Sequence, residues 1–165
     1  TQEYCKDASA DVATVFMQRC IDFCATNGAT ALVLPQNWLF LKAYSHLRER
    51  WLRKISWRCI ARLGTRSFQT PMYDFNIMLG VFINARPSLD IQFTAVDADS
   101  AADAHGKAEL LVNGEFSMES QQLQESNPDK RIVFGDISDA PLLASFSKAL
   151  SGLSAGDSAR FEGVF

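Results

Sequence analysis

What this sequence lacks narrows its reading before what it holds. No apolar run reaches the ~18 residues needed to cross a bilayer, and no basic-then-apolar leader opens the chain. The expectation is therefore a chain with no membrane span and no secretion signal. No Gly-rich phosphate loop is present, which removes the classes that cradle nucleotide phosphates in such a turn. Histidine is scarce: His46 and His105 have no Ser, Asp or Cys partners at a patterned spacing, so no nucleophilic triad can be assembled. Cysteine is limited to Cys5, Cys20, Cys24 and Cys59. Cys20 and Cys24 fall four apart on a predicted helix with no histidine nearby, which argues against a metal site and for buried free thiols. Free thiols in turn suggest a reducing, cytoplasmic location. Asp97, Asp99 and Asp103 cluster, but their spacing fits no calcium loop. They read as solvated acids at a helix start, so no metal is expected.

What is there suits a globular chain. Its 165 residues are 47% hydrophobic and 21% charged, enough to bury a sizeable core. The net charge of −3 hides an uneven distribution. Lys42, Arg48, Arg50, Arg53, Lys54, Arg58, Arg62 and Arg66 lie in one short segment against a single acid, Glu49. After Ser67 the chain is mainly acidic. A charge run is usually a solvated helix face, but the missing counter-charges here favour an anionic partner.

Periodicity gives an order of elements. A helix is predicted over Ala10–Ala25, capped by Ser9, with Val12, Val15, Phe16, Cys20, Phe23 and Cys24 as its apolar stripe. Asn27-Gly28 ends it. Ala29–Leu34, "ATALVL", predicts a strand buried on both faces of a parallel sheet. A second helix over Leu39–Lys54 should bury Phe40, Ala43, Leu47 and Trp51 and expose Lys42, Arg48, Arg50 and Arg53. Trp57–Leu63 is the next strand, ending at Gly64. Phe75–Ile83 follows with no helix between, so it should reverse direction and run antiparallel beside Trp57–Leu63.

Beyond Asn84 the pattern weakens. An edge strand is predicted around Ile91, Phe93 and Ala95, helices over Asp99–Val112 and Ser117–Glu125, a short strand over Arg131–Phe134, and a helix over Pro141–Leu150. The expected fold is α/β: a partial Rossmann-like sheet of parallel strands with a reversed terminal strand, and a small α+β extension. The expected division is residues 1–86 and 87–165. The closing "GLSAGDSARFEGVF" reads as an element cut short. One residue stands out. Phe68 sits in the polar connection after Gly64, two residues beyond Arg66, where connections carry function more often than packing.

Several motifs point to one family. Asp11 through Phe16 matches an Asp-hydrophobic-x-x-x-Phe helix. Asn27-Gly28 stands where a Gly-Gly turn is usual, Leu34-Pro35 closes a strand, and Leu47-Arg48 matches a helical Leu-Arg pair. In that order they resemble the later half of adenine-specific DNA methyltransferases of the amino-methylating type. "LPQNWLFL", "ARLGTRSF", "NPDKRIVF" and "GLSAGDSARF" are similar to the large methyltransferases of the BREX phage-exclusion systems. The resemblance implies a Rossmann-like S-adenosylmethionine enzyme. This chain would be the C-terminal half of its catalytic domain and the lead-in to a target-recognition domain. The cofactor glycine motif and the catalytic Asn-Pro-Pro-Tyr are absent from the chain, so it carries no catalytic residue and is expected to be inactive alone.

The resemblance also implies site residues. Phe68 would stack on an adenine flipped out of duplex DNA, with Tyr73 as the rival aromatic. Arg62 and Arg66 would hold backbone phosphates. Double-stranded DNA is the expected partner, with other phage-defence proteins and self-association also open. The alternatives are a non-catalytic DNA-binding or assembly module of a phage-defence complex, and a methyltransferase acting on RNA or protein.

Overall fold

The computed structural model describes residues 11–70, 75–135 and 145–148. Helix α1 (Val12–Phe23) leads to strand β1 (Ala29–Pro35). Two 3-10 turns, Gln36–Leu39 and Lys42–Tyr44, precede helix α2 (Ser45–Lys54). Strands β2 (Ser56–Gly64), β3 (Ile77–Ile83) and β4 (Gln92–Asp97) follow, then helix α3 (Ala104–Asn113). Strand β5 (Ser117–Ser120), the single-turn helix α4 (Gln121–Gln124) and a 3-10 turn at Pro128–Lys130 complete the described elements.

The five strands form one sheet in the order β1-β3-β2-β4-β5. Strand β3 runs antiparallel to β1 from Ala29 opposite Ile83 to Pro35 opposite Ile77. It is also antiparallel to β2, with register shifts near each end of the ladder. Strands β1 and β2 therefore point the same way, and the reversed strand is inserted between them. The expected reversal of Phe75–Ile83 beside Trp57–Leu63 is observed; the insertion is the added feature. Strand β4 is parallel to β2, and β5 antiparallel to β4. The architecture is α/β with a partial Rossmann-like sheet.

One face of the sheet holds the larger core. Trp38, Trp51, Trp57, Phe82 and Phe93 meet there with ring centroids 5.0 to 6.3 Å apart, mostly edge to face, the geometry that aromatic quadrupoles favour. Gly80 makes room for this cluster, because a Cβ there would lie 2.5 Å from the Phe82 ring. On the other face Ala61, Leu63, Ile77, Val96 and Ala98 pack beneath Leu110 and Leu111 of α3.

Several expectations are corrected. Helix α1 is capped by Asp11, whose carboxylate accepts from the Thr14 amide at 2.9 Å. Its buried face is Thr14, Met17 and Ile21, while Val12, Phe16 and Phe23 of the predicted stripe are exposed. The helix carries two apolar stripes, and periodicity alone does not say which one meets the sheet. Strand β1 is not buried on both faces: Ala29, Ala31 and Val33 alternate outward, and among the described residues no strand lies outside it. The helix predicted from Leu39 begins only at Ser45, which leaves Ala43 exposed. Gln92–Asp97 is an inner strand rather than an edge, because Ser117–Ser120 is a strand, not a helix, and pairs outside it. The third helix starts at Ala104, after its Asp103 cap, rather than at Asp99. Arg131–Phe134 has no sheet partner among the described residues. The helix predicted over Pro141–Leu150 lies mostly outside the described residues.

Strands β4 and β5, from beyond residue 86, belong to the same sheet as β1–β3, and Phe93, Ala95 and Ile132 belong to the main core. Buried amides tie the two stretches together. Gln121 donates to the carbonyls of Leu52 and Ile55 at the end of α2, both at 2.7 Å, and accepts from the Trp57 amide at 2.9 Å. Cys20, Cys24 and Cys59 are free and half-buried, and burial pushes the Cys59 thiol up. Among the described residues no helix is long and apolar enough to cross a membrane, and no cluster of His, Cys, Asp and Glu is arranged to hold a metal.

Candidate nucleic-acid interface

The basic segment is less free than its charge suggests. Arg48, placed by sequence on a solvated face, is fully buried. Its guanidinium donates to four carbonyls: Trp38 at 2.5 Å, Asp129 at 2.6 Å, Leu41 at 2.8 Å and Lys130 at 2.9 Å. Burial lowers its pKa to about 10, with Asp129 opposing that shift. Asp129 and Lys130 both adopt left-handed backbone, with φ of 52° and 57°, a conformation that costs free energy in non-glycine residues. Their carbonyls are aimed at Arg48, which offsets that cost. Arg53 is engaged by Glu49 and Glu125 at 3.0 and 2.9 Å, and Arg50 donates to Gln18. Much of the positive charge therefore binds the chain to itself. A correct α2 register would have revealed Arg48, since Tyr44, Leu47, Arg48, Trp51, Leu52 and Ile55 follow helical three- and four-residue spacing and are all buried.

Arg62 is also engaged. Its guanidinium pairs with Asp97 and lies 4.7 Å from the centroid of the Phe134 ring. Arg66 and Phe68 occupy the loop that leaves β2. Gly64 turns the chain there with φ of +66°, and a Cβ at that position would fall 1.5 Å from the Asp99 carboxylate. Arg66 follows with φ of 56°. The Ser67 hydroxyl donates back to the Gly64 carbonyl at 2.9 Å and to the Leu63 carbonyl at 3.3 Å, an arrangement that holds a turn without a ladder. Phe68 emerges from this turn 52% exposed and belongs to neither core cluster. Arg66 and Phe68 share this loop, while Arg62 is held on β2 by Asp97. Tyr73 lies outside the described residues.

The buried lysine beneath this loop was not legible from the sequence. Lys107, on α3, is 2% exposed. Its ammonium reaches the carbonyls of Leu63, Ala98 and Asp99 at 2.5, 3.2 and 3.4 Å. The available signal was its spacing with Leu110 and Leu111, which places all three on one helix face. Asp99 was read as a solvated acid; it is exposed, yet its carboxylate fills the space over Gly64.

The mixed α/β sheet resembles in fold two solved chains of restriction–modification systems. The chain superposes on a modification subunit assigned to a type I restriction enzyme from Vibrio vulnificus with a TM-score of 0.51 and 21% identity, over 67% of this chain and 28% of that one. A chain of a type I restriction–modification system, solved for complex assembly and conformational transition, matches with a TM-score of 0.51 and 11% identity over 80% of this chain and 34% of that one. At those identities the likeness is one of fold.

Sequence adds the particular relative. The chain is 36% identical over 69 residues to the adenine-specific methyltransferase PglX of Lacticaseibacillus casei, covering 41% of this chain and 6% of that protein. The resemblance drawn from the motifs agrees with this relative. The chain spans only a small part of each of these proteins. No protein-family model matches it.

Proposed function

We propose that this chain forms part of a site-specific adenine DNA methyltransferase of restriction–modification or phage defence, and that it supplies the loop that holds the extruded base. The observation carrying this reading is Phe68: a half-exposed aromatic on a hydrogen-bonded turn at the end of β2. The amino group of adenine is not accessible inside a duplex, so chemistry on it requires extrusion of the base. An extruded base then needs a flat apolar surface, and stacking on an aromatic side chain contributes ~1–3 kcal/mol. In this reading Phe68 provides that surface, and Arg66 on the same loop contacts a flanking phosphate. Arg62 reaches a phosphate only by releasing Asp97. It serves in this reading as a phosphate contact formed on binding.

The glycine motif that holds S-adenosylmethionine in such enzymes is absent from this sequence. Among the described residues, the left-handed glycine turn that ends β2, Gly64, is filled by the Asp99 carboxylate. The cofactor and the groups that act on the adenine amine belong, in this reading, to other parts of a longer protein, and no step is assigned to the chain beyond holding the base.

Phe68→Ala in the complete protein tests the assignment. Methylation of duplex DNA should fall roughly five- to two-hundred-fold, the rate equivalent of ~1–3 kcal/mol of stacking at ~1.4 kcal/mol per decade. The loss should shrink when the target adenine is mismatched, since a base already unpaired costs less to extrude. Tyr or Trp at position 68 should restore part of the rate. Equal losses on both substrates, with a large fall in melting temperature, would make Phe68 a packing residue.

A further inference from the structure

Lys107 stands in an unfavourable place for a lysine. It lies near the N-terminus of α3, where the helix dipole repels a cation, and it is 2% exposed, so its charge is also desolvated. No acidic residue occupies the first turn of α3. An ammonium has three N–H donors. Here all of its described hydrogen bonds go to backbone carbonyls: Leu63 at the end of β2, and Ala98 and Asp99 just beyond β4. These carbonyls mark the point where two parallel strands release the chain. The Leu63 carbonyl also accepts from the Ser67 hydroxyl, and Ser67 is the residue immediately before Phe68. Asp99 adds a second contact between the same segments, its carboxylate lying over Gly64. The helix, the β4 exit and the aromatic loop are thus joined at one buried positive charge.

We propose that Lys107 is a positioning residue for base extrusion: its ammonium fixes the Leu63, Ala98 and Asp99 carbonyls and, through Leu63 and Ser67, sets where Phe68 stands above the end of β2. The proposal rests on the reading of Phe68 as the stacking residue. It adds a dependence of that stacking on α3, which lies more than thirty residues further along the chain and does not itself meet the base. Removing the ammonium leaves three carbonyls competing for water and frees the loop to pivot at its two left-handed residues, Gly64 and Arg66. The aromatic ring is then present but misplaced, and a small misplacement is enough to lose an oriented contact.

The test is a double-mutant cycle in the complete protein, using Lys107→Met, Phe68→Ala and the pair, each assayed on duplexes with a matched and a mismatched target adenine. Lys107→Met should lower the matched-duplex rate by roughly fivefold or more, and the mismatched rate by less. In the Phe68→Ala background it should cost almost nothing further, because residues acting through one another are not additive. Leu110→Ala, one turn along the same helix, should lower the melting temperature without changing the ratio of the two rates. If Lys107→Met yields no folded protein, Lys107→Gln, which keeps two N–H donors, goes through the same cycle. Equal losses on both substrates, or the same loss with and without Phe68, would overturn the proposal. A Phe68→Ala single variant with an unchanged rate ratio would instead refute the base-stacking reading itself.

Discussion

Arg48→Met tests the most consequential packing interaction in the chain. Methionine keeps most of the apolar stem and removes the guanidinium fork. Four hydrogen bonds from a charged donor are lost, each worth ~1.5–3 kcal/mol. Against that gross loss stands the relief of burying a charge, which costs several kcal/mol. A net loss of ~3–5 kcal/mol follows, because four backbone carbonyls are left without their donor at ~1–3 kcal/mol each, less the relief of the buried charge. For a domain of this size each kcal/mol moves the melting temperature by about 2–4 °C, so a fall of roughly 6–20 °C is expected. The damage should be local as well as global. The left-handed Asp129-Lys130 turn loses the donor that holds it, so trypsin should cut after Lys130 or Arg131 well before the rest of the chain yields. Arg48→Lys should recover little, because an ammonium cannot span four carbonyls set for a planar fork. A melting temperature within about 3 °C of the parent, with an uncut turn, would refute the reasoning.

Further outcomes follow from the same structure. Gly64→Ala should destabilise by ~1–2 kcal/mol from the left-handed backbone alone; it should also displace Asp99 and depress methylation in the complete protein, as paired melting and activity assays would show. The Tyr44 hydroxyl is pushed up from 10.0 to about 12, first by burial and then by the hydrogen bond and charge of Asp11. The folded state therefore keeps a proton that the unfolded chain releases, so this stabilisation is whole below pH 10 and is lost as pH rises toward 12. Tyr44→Phe should flatten that alkaline limb in denaturant titrations run from pH 9 to 12. The isolated chain should self-associate through the β1 edge, which no described strand covers, and its outward Ala31 and Val33; Val33→Lys should reduce the effect in sedimentation velocity. Calorimetry of the isolated chain with S-adenosylmethionine should show no tight binding, because the cofactor glycine motif is absent from the sequence, and a micromolar dissociation constant would contradict that expectation.

The sheet was legible where the pattern between strands constrained it. No helical pattern lies between Gly64 and Ile77, so reversal was expected, and β3 is antiparallel to β2. That β3 also pairs with β1 depends on long-range register, which no local pattern carries. The α1 face was ambiguous because Val12, Phe16 and Phe23 form as good a stripe as Met17 and Ile21. Short polar segments misled most. "SMES" has neither alternation nor helical period, yet it pairs with β4, because sheet context overrides weak propensity. Arg48 and Lys107 were hidden for one reason: a basic residue reads as solvated, and only the folded backbone supplies the carbonyls that let it be buried. Phe68 was visible because an aromatic in a polar connection breaks the pattern, and the structure leaves it exposed.

The central proposal is that this chain forms part of an enzyme that places methyl groups on the amino nitrogen of adenine in DNA. It is tested most directly by incubating the complete protein with duplex DNA and isotopically labelled S-adenosylmethionine, digesting the DNA to nucleosides, and identifying the labelled product by mass. The account predicts label in N6-methyladenosine of the deoxy series. Label in methylated cytosine, label confined to RNA or protein, or DNA binding with no methyl transfer would contradict it.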